Sequence, residues 1–158
     1  MTSPDPAHTT PADDESRHTR AAIEAAIPHR SPMLLVDEIV EQSDTTIHCR
    51  KTFRPDEFFT HGHFPNFPLV PGVILCECAL QSGAILLASK TPTTGAIPVA
   101  TRMDGVKFKQ MVRPGDTIDI HATLNEVVSS AYFLTGKITV AGKLAARLDF
   151  ACTIAAPQ

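Results

Sequence analysis

Apolar and polar positions alternate along two short stretches, 34–42 and 45–53, with Ser43-Asp44 between them. A period of two sends successive side chains to opposite faces, so the pattern predicts two antiparallel strands joined at that turn. At Pro71 the pattern changes. The run VILCECALQSGAILLA is almost free of polar residues and long enough for about four turns of helix. Its Pro-Gly start suits a helix, because the N–H that proline lacks would be unpaired in the first turn anyway. The helix is predicted over about 71–89 and ends at the breakers in 91–95. Longer stretches of β character follow at 97–109, 117–128, 131–140 and 143–154, separated by Arg113-Pro-Gly-Asp116, Ser129-Ser130 and Ala141-Gly142. One apolar helix among antiparallel strands implies an α+β architecture, with a curled sheet wrapping the helix.

The amino end reads differently. Residues 1–17 contain no Leu, Ile, Val or Phe and are rich in Pro, Thr and Asp, a composition that cannot build a core and predicts a disordered tail. A short helix is predicted near 18–26, and the remainder, 18–158, is sized for a single domain. A net charge of −3 over 158 residues points to neither nucleic acid nor an anionic membrane as partner. With no run of eighteen apolar residues and no basic-then-apolar start, the expectation is a cytoplasmic protein without membrane insertion.

Cys49, Cys76, Cys78 and Cys152 invite a metal or disulfide reading. Cys76 and Cys78 stand roughly 200° apart around a helix and do not face one ion easily. His61 and His63 alternate in one loop, but no clustered third and fourth ligand accompanies them. The cysteines read as small buried hydrophobes, and neither a metal nor another cofactor is expected.

The segment most charged with chemistry is THGHFPNFPLVPGVILCECALQ, from Thr60 to Gln81. Pro65, Pro68 and Pro71 each fix φ, so the loop carrying His63 is stiff. Glu77 interrupts the apolar helix, and Gln81 follows one turn later on the same face. A carboxyl and an amide in such a helix carry a desolvation cost of about a few kcal/mol unless they find partners. A buried carboxyl and an imidazole together can remove one proton while delivering another.

These residues resemble a known family. Gly62-His63-Phe64-Pro65, Pro68, Pro71-Gly72-Val73, Glu77 and Gln81 match the pattern GHFPxxPxxPGVxxxExxxQ of β-hydroxyacyl-(acyl-carrier-protein) dehydratases of the glutamate type. Upstream, PHRSPMLLVD from Pro28 to Asp37 is similar to that family's amino-terminal stretch. Downstream, Asp104-Gly105-Val106-Lys107-Phe108-Lys109 and Arg113-Pro114-Gly115-Asp116 resemble two further segments. The resemblance runs from about Ile27 to about Ile154.

The resemblance implies a hot-dog fold and elimination of water from a (3R)-hydroxyacyl thioester to give a trans-2-enoyl thioester, as in fatty acid biosynthesis. It makes His63 the base and Glu77 the group that handles the hydroxyl, with burial raising the carboxyl's pKa. Relatives that also isomerise the double bond tend to carry aspartate at this position, so Glu77 favours dehydration alone. The developing charge on the thioester would be met by free N–H groups around Gly72 and Val73 at the helix start. Gln81 and Phe64 would support the pair. The implied partners are an acyl carrier protein and a second copy of the chain. Such dehydratases dimerise edge to edge and share active sites between subunits, and many assemble as trimers of dimers. Arg102, Lys107, Lys109 and Arg113 form a basic cluster, readable as a docking patch for an acidic carrier or as a solvated strand face. A hot-dog thioesterase, a dehydratase of a specialised, polyketide-like pathway and a non-catalytic thioester-binding protein stand as other readings. The presence of both His63 and Glu77 argues against the last.

Overall fold

The computed structural model describes residues 20–92 and 95–156. The expected tail over 1–17, the first residues of the helix near 18–26, and Thr93-Thr94 lie outside them. Residues 20–26 are helical. They lead into β1 (Glu38–Gln42), β2 (Thr46–Thr52), the central helix (Gly72–Ala88), β3 (Ile97–Phe108), β4 (Thr117–Val128), β5 (Ala131–Val140) and β6 (Lys143–Ala155). The strands form one six-stranded sheet in the order β1-β2-β4-β5-β6-β3, with every neighbouring pair antiparallel. This is the α+β arrangement the pattern predicts: the central helix touches β2, β3, β4, β5 and β6, so the sheet curves around it.

The period-two pattern explains the core. Ile47 and Cys49 of β2, Ile118, Ile120 and Ala122 of β4, Leu134 and Ile138 of β5, and Leu148 and Phe150 of β6 point inward and are buried. They meet Leu75, Cys78, Ala79 and Leu86 of the helix. Most of their alternates, such as His48, Arg50, Asp119, Thr135, Lys137 and Arg147, are polar. Burial of such side chains stabilises by about 1.5–3 kcal/mol each.

Two features depart from the sequence pattern. The first strand begins at Glu38 and not at Leu34. The N–H of Leu34 donates to Arg30 O at 3.1 Å and that of Leu35 to Gln81 Oε1 at 2.8 Å, so neither is free to extend a ladder. The second is Lys51, which occupies an inward position of β2 and is 6 % exposed. Its ammonium donates to Glu57 Oε1 at 2.9 Å and lies 3.6 Å from Asp37 Oδ1. Glu57, itself buried, also accepts the N–H of Arg54 at 3.3 Å. This ion pair clamps the segment after β2 to the sheet, directly before the loop that carries His63. Removing either partner would leave the other charge buried without compensation.

Candidate active site

Between Glu57 and Pro71 the chain advances through successive turns, with Thr60 N–H donating to Glu57 O at 3.0 Å and Phe67 N–H to Phe64 O at 2.8 Å. Phe64 adopts φ 49°, a left-handed conformation that is costly for a residue with a large side chain. It sets the Phe64 ring against the His63 imidazole, with ring centroids 4.3 Å apart. The other face of the loop is fixed by Val70 N–H to Val112 O at 2.8 Å and by the Arg113 guanidinium, 5.1 Å from the Phe67 ring centre.

His63 Nδ1 lies 3.1 Å from Leu69 O. A carbonyl oxygen only accepts, so Nδ1 carries the hydrogen and the neutral ring presents Nε2 as an unprotonated acceptor. Among the residues brought together, this is the group equipped to take a proton.

The central helix starts without a side-chain cap: Pro71 occupies the cap position, and the first turn has no acidic residue. The N–H groups of Ile74 and Leu75 turn back to Pro71 O at 3.0 and 3.4 Å. Among the described residues no acceptor reaches the N–H of Gly72 or Val73. Two unpaired amides at the positive end of a helix form a natural seat for a developing negative charge. The Phe108 ring lies against Gly72, with Cζ only 2.7 Å from where a Cβ would stand.

His63, Gly72, Val73 and Phe108 line one pocket of about 960 Å³. Lys109, Arg113 and Lys143 stand on its wall. The four-cation cluster of the sequence is therefore divided. Arg102 pairs with Asp104 and lies over the Phe133 ring, and Lys107 sits opposite Arg147, while neither lines this pocket. Lys143, which opens β6 after the Ala141-Gly142 turn, takes their place. Sequence separation concealed it, and Phe108 was visible only as a motif residue.

Glu77 is on another surface of its own chain and does not line this pocket. Within one chain its side chain is 27 % exposed, so this chain alone does not supply the burial expected for the carboxyl. The helix face carrying it is only partly covered within one chain. The polar group that is buried there is Gln81, at 1 % exposure. It accepts from Leu35 N–H at 2.8 Å and donates from Nε2 to Met33 O at 2.7 Å and to Glu77 Oε1 at 3.0 Å. This network offsets the amide's desolvation and fixes one carboxyl oxygen. His29 also stands near Glu77, its Nε2 3.7 Å from the same Oε1. His29 belongs to the PHRSP stretch, a signal present in the sequence without an assigned role.

All four cysteines are buried free thiols. Burial pushes the thiols of Cys49 and Cys152 up to about 11 and raises that of Cys78 further, so they stay protonated and unreactive. Among the described residues no three His, Cys, Asp or Glu side chains are grouped to hold a metal ion. No helix among them is long and apolar enough to cross a membrane.

Comparison with known proteins identifies the family. The family model of ApeI dehydratase matches residues 39–145. The 3-hydroxyacyl-[acyl-carrier-protein] dehydratase FabZ of Streptococcus pyogenes serotype M5 is 42 % identical over 132 residues, spanning 82 % of this chain and 95 % of that protein. Among solved structures, the dehydratase heterocomplex ApeI:P from Xenorhabdus doucetiae superposes with a TM-score of 0.69 at 18 % identity, covering 84 % of this chain and 90 % of that one. A hypothetical thioesterase with coenzyme A from Streptococcus pneumoniae gives 0.61 at 11 % identity, over 90 % and 98 %, and shares the fold alone. The hot-dog architecture, the match from β1 into β6 and the identity to FabZ dehydratases lead to one conclusion: the chain belongs to the ApeI-like and FabZ family of hot-dog dehydratases.

Proposed function

We propose that this chain removes water from 3-hydroxyacyl chains carried on acyl carrier protein, giving trans-2-enoyl thioesters, at sites shared between two protomers. The observation that carries the reading is the His63 ring, tied through Nδ1 to Leu69 O at 3.1 Å and placed in the pocket that reaches the open helix start. Nε2 removes the C2 proton. The C–H electron pair becomes the C2–C3 double bond, the C3–O bond breaks, and the departing hydroxyl takes a proton from Glu77 to leave as water. The thioester oxygen, which gains charge during the step, is held by the N–H groups of Gly72 and Val73.

Glu77 reaches this pocket from a second copy of the chain. Two features support that. Glu77 does not line its own chain's pocket, and β3 ends the sheet with a twelve-residue edge that exposes Ile97, Val99 and Met103. A long apolar edge strand is an aggregation liability unless paired, and pairing β3 with its symmetry mate would remove it. Lys109, Arg113 and Lys143 at the pocket wall are suited to an acidic carrier protein.

The test is to supply a 3-hydroxyacyl thioester on acyl carrier protein and follow enoyl absorbance together with free thiol. Enoyl product without thiol, lost in His63→Ala, is the expected result. Thiol release would place the chain among thioesterases instead.

A further inference from the structure

Glu77 is approached by two groups of its own chain. Gln81 Nε2 donates to Oε1 at 3.0 Å, and His29 Nε2 stands 3.7 Å from that same oxygen. The other nitrogen of the His29 ring, Nδ1, is the one buried side-chain polar atom among the described residues with no hydrogen-bond partner. This asymmetry selects a tautomer. A proton on Nδ1 would bury an N–H with no acceptor, whereas a proton on Nε2 directs that N–H at Glu77 and leaves only a lone pair inside.

His29 is also held in place. Arg30 Nη1 donates to Ile27 O at 2.8 Å and to His29 O at 2.7 Å, and its Nη2 donates to Glu24 O at 2.9 Å. Beyond the ring, Met33 O and Leu35 N–H are bonded to Gln81. The segment is therefore anchored to the central helix just past His29, and Arg30 ties it back to Glu24 and Ile27 just before it.

We propose that His29 is a positioning residue for Glu77. With Gln81 Nε2 donating to Oε1 at 3.0 Å and His29 Nε2 within 3.7 Å of it, that oxygen is the carbonyl-like acceptor of the carboxyl. The acid proton then sits on Oε2, the oxygen that no described residue engages, and is turned toward the leaving hydroxyl. The inference rests on Glu77 serving the hydroxyl as set out above.

The test uses the full chain with His29→Leu and His29→Gln, the latter placing an amide N–H near the Nε2 position. His29→Leu is expected to lower kcat up to about tenfold, the upper worth of a contact to the neutral acid, with KM within about twofold. His29→Gln is expected to restore most of the rate. In a Glu77→Gln background, His29→Leu is expected to add less than about a twofold loss, because its effect passes through Glu77. Should the leucine variant not fold, His29→Asn, whose amide reaches only the Nδ1 position, replaces it. Unchanged kcat in His29→Leu, or losses that multiply fully in the double variant, would overturn the proposal. Full turnover in Glu77→Gln alone would overturn this proposal and the catalytic reading together, and is read from a different variant.

Discussion

The Nε2–H of Gln81 donates to Glu77 Oε1 at 3.0 Å, one helical turn away, while the rest of the same amide bonds the backbone of Met33 and Leu35. One side chain thus serves both the fold and the site. Gln81→Leu removes three hydrogen bonds and strands Leu35 N–H and Met33 O, so a stability loss of about 2–4 kcal/mol is expected. Urea denaturation would measure it. A loss below about 1 kcal/mol would show that water replaces the amide freely.

Sites shared as proposed would have a stoichiometric consequence. His63→Ala and Glu77→Gln are each expected to lower kcat at least about a hundredfold while folding normally. When the two inactive proteins are mixed and allowed to exchange subunits, half the dimers carry one intact site, so about a quarter of wild-type activity should return. No recovery after verified exchange would place both residues in one protomer's site.

Two glycines of the central helix separate packing from function. A Cβ at Gly83 would stand 2.7 Å from Cζ of Phe150, a ring buried at 2 % exposure with nowhere to move. A Cβ at Gly72 would meet Phe108 at the same 2.7 Å, but that ring is 53 % exposed and can swing away. Gly83→Ala should therefore cost about 1–3 kcal/mol. Gly72→Ala should leave the melting temperature nearly unchanged and raise KM. Equal destabilisation by both would mean that Phe108 is fixed in place.

On the outer face of the sheet, His121 stacks on His48 with centroids 4.2 Å apart. Burial first, and then the neighbouring His48, lower the His121 pKa below its usual 6.5; Asp119 opposes the shift and Lys137 adds to it. Because the folded state binds this proton less readily than the unfolded chain, the stability tied to neutral His121 is present above about pH 6.5 and is lost as pH falls through the depressed pKa. His121→Thr should lose less melting temperature between pH 7.5 and 5 than the wild type does. Parallel curves for the two proteins would assign the acid sensitivity elsewhere.

For the carrier, charge reversal at Lys143 is expected to raise KM for carrier-bound substrate about tenfold, with little change for a short pantetheine thioester. Added salt should act in the same selective way. A similar change with both substrates would place Lys143 in the chemistry of the pocket and remove it from docking.

Much of this arrangement was legible in the chain. The strands at 117–128 and 131–140 are bounded by turn residues and alternate over 117–124 and 134–138, so there local pattern and tertiary structure coincide. The apolar run after Pro71 is a helix for the same reason. What was hidden depends on distant partners. The start of β1 is decided by Gln81, 46 residues away. The basic cluster is divided because β3 is irregular between Ala100 and Arg102 and again between Asp104 and Lys107, which breaks simple alternation. The exposure of Glu77 was hidden because an unbroken apolar helix reads as buried on every side, whereas its own sheet covers only part of it. His63 was visible through its rigid proline-rich loop; the carbonyl that sets its tautomer was not.

The sheet order also constrains how the molecule forms. β2 and β4 are neighbours although His48 and its partner Asp119 are 71 residues apart in sequence, and the central helix and β3 lie in the chain between them. The middle of the sheet therefore cannot close until a long intervening segment has been made and arranged. The helix, apolar over most of its circumference and without capping or acidic residues in its first turn, has little reason to persist alone in water. Helix docking and closure of β2 on β4 should then be one cooperative event, with slow folding governed by high contact order. The nascent chain would expose its most apolar segment until β4 arrives, the interval in which a chaperone has the most to protect.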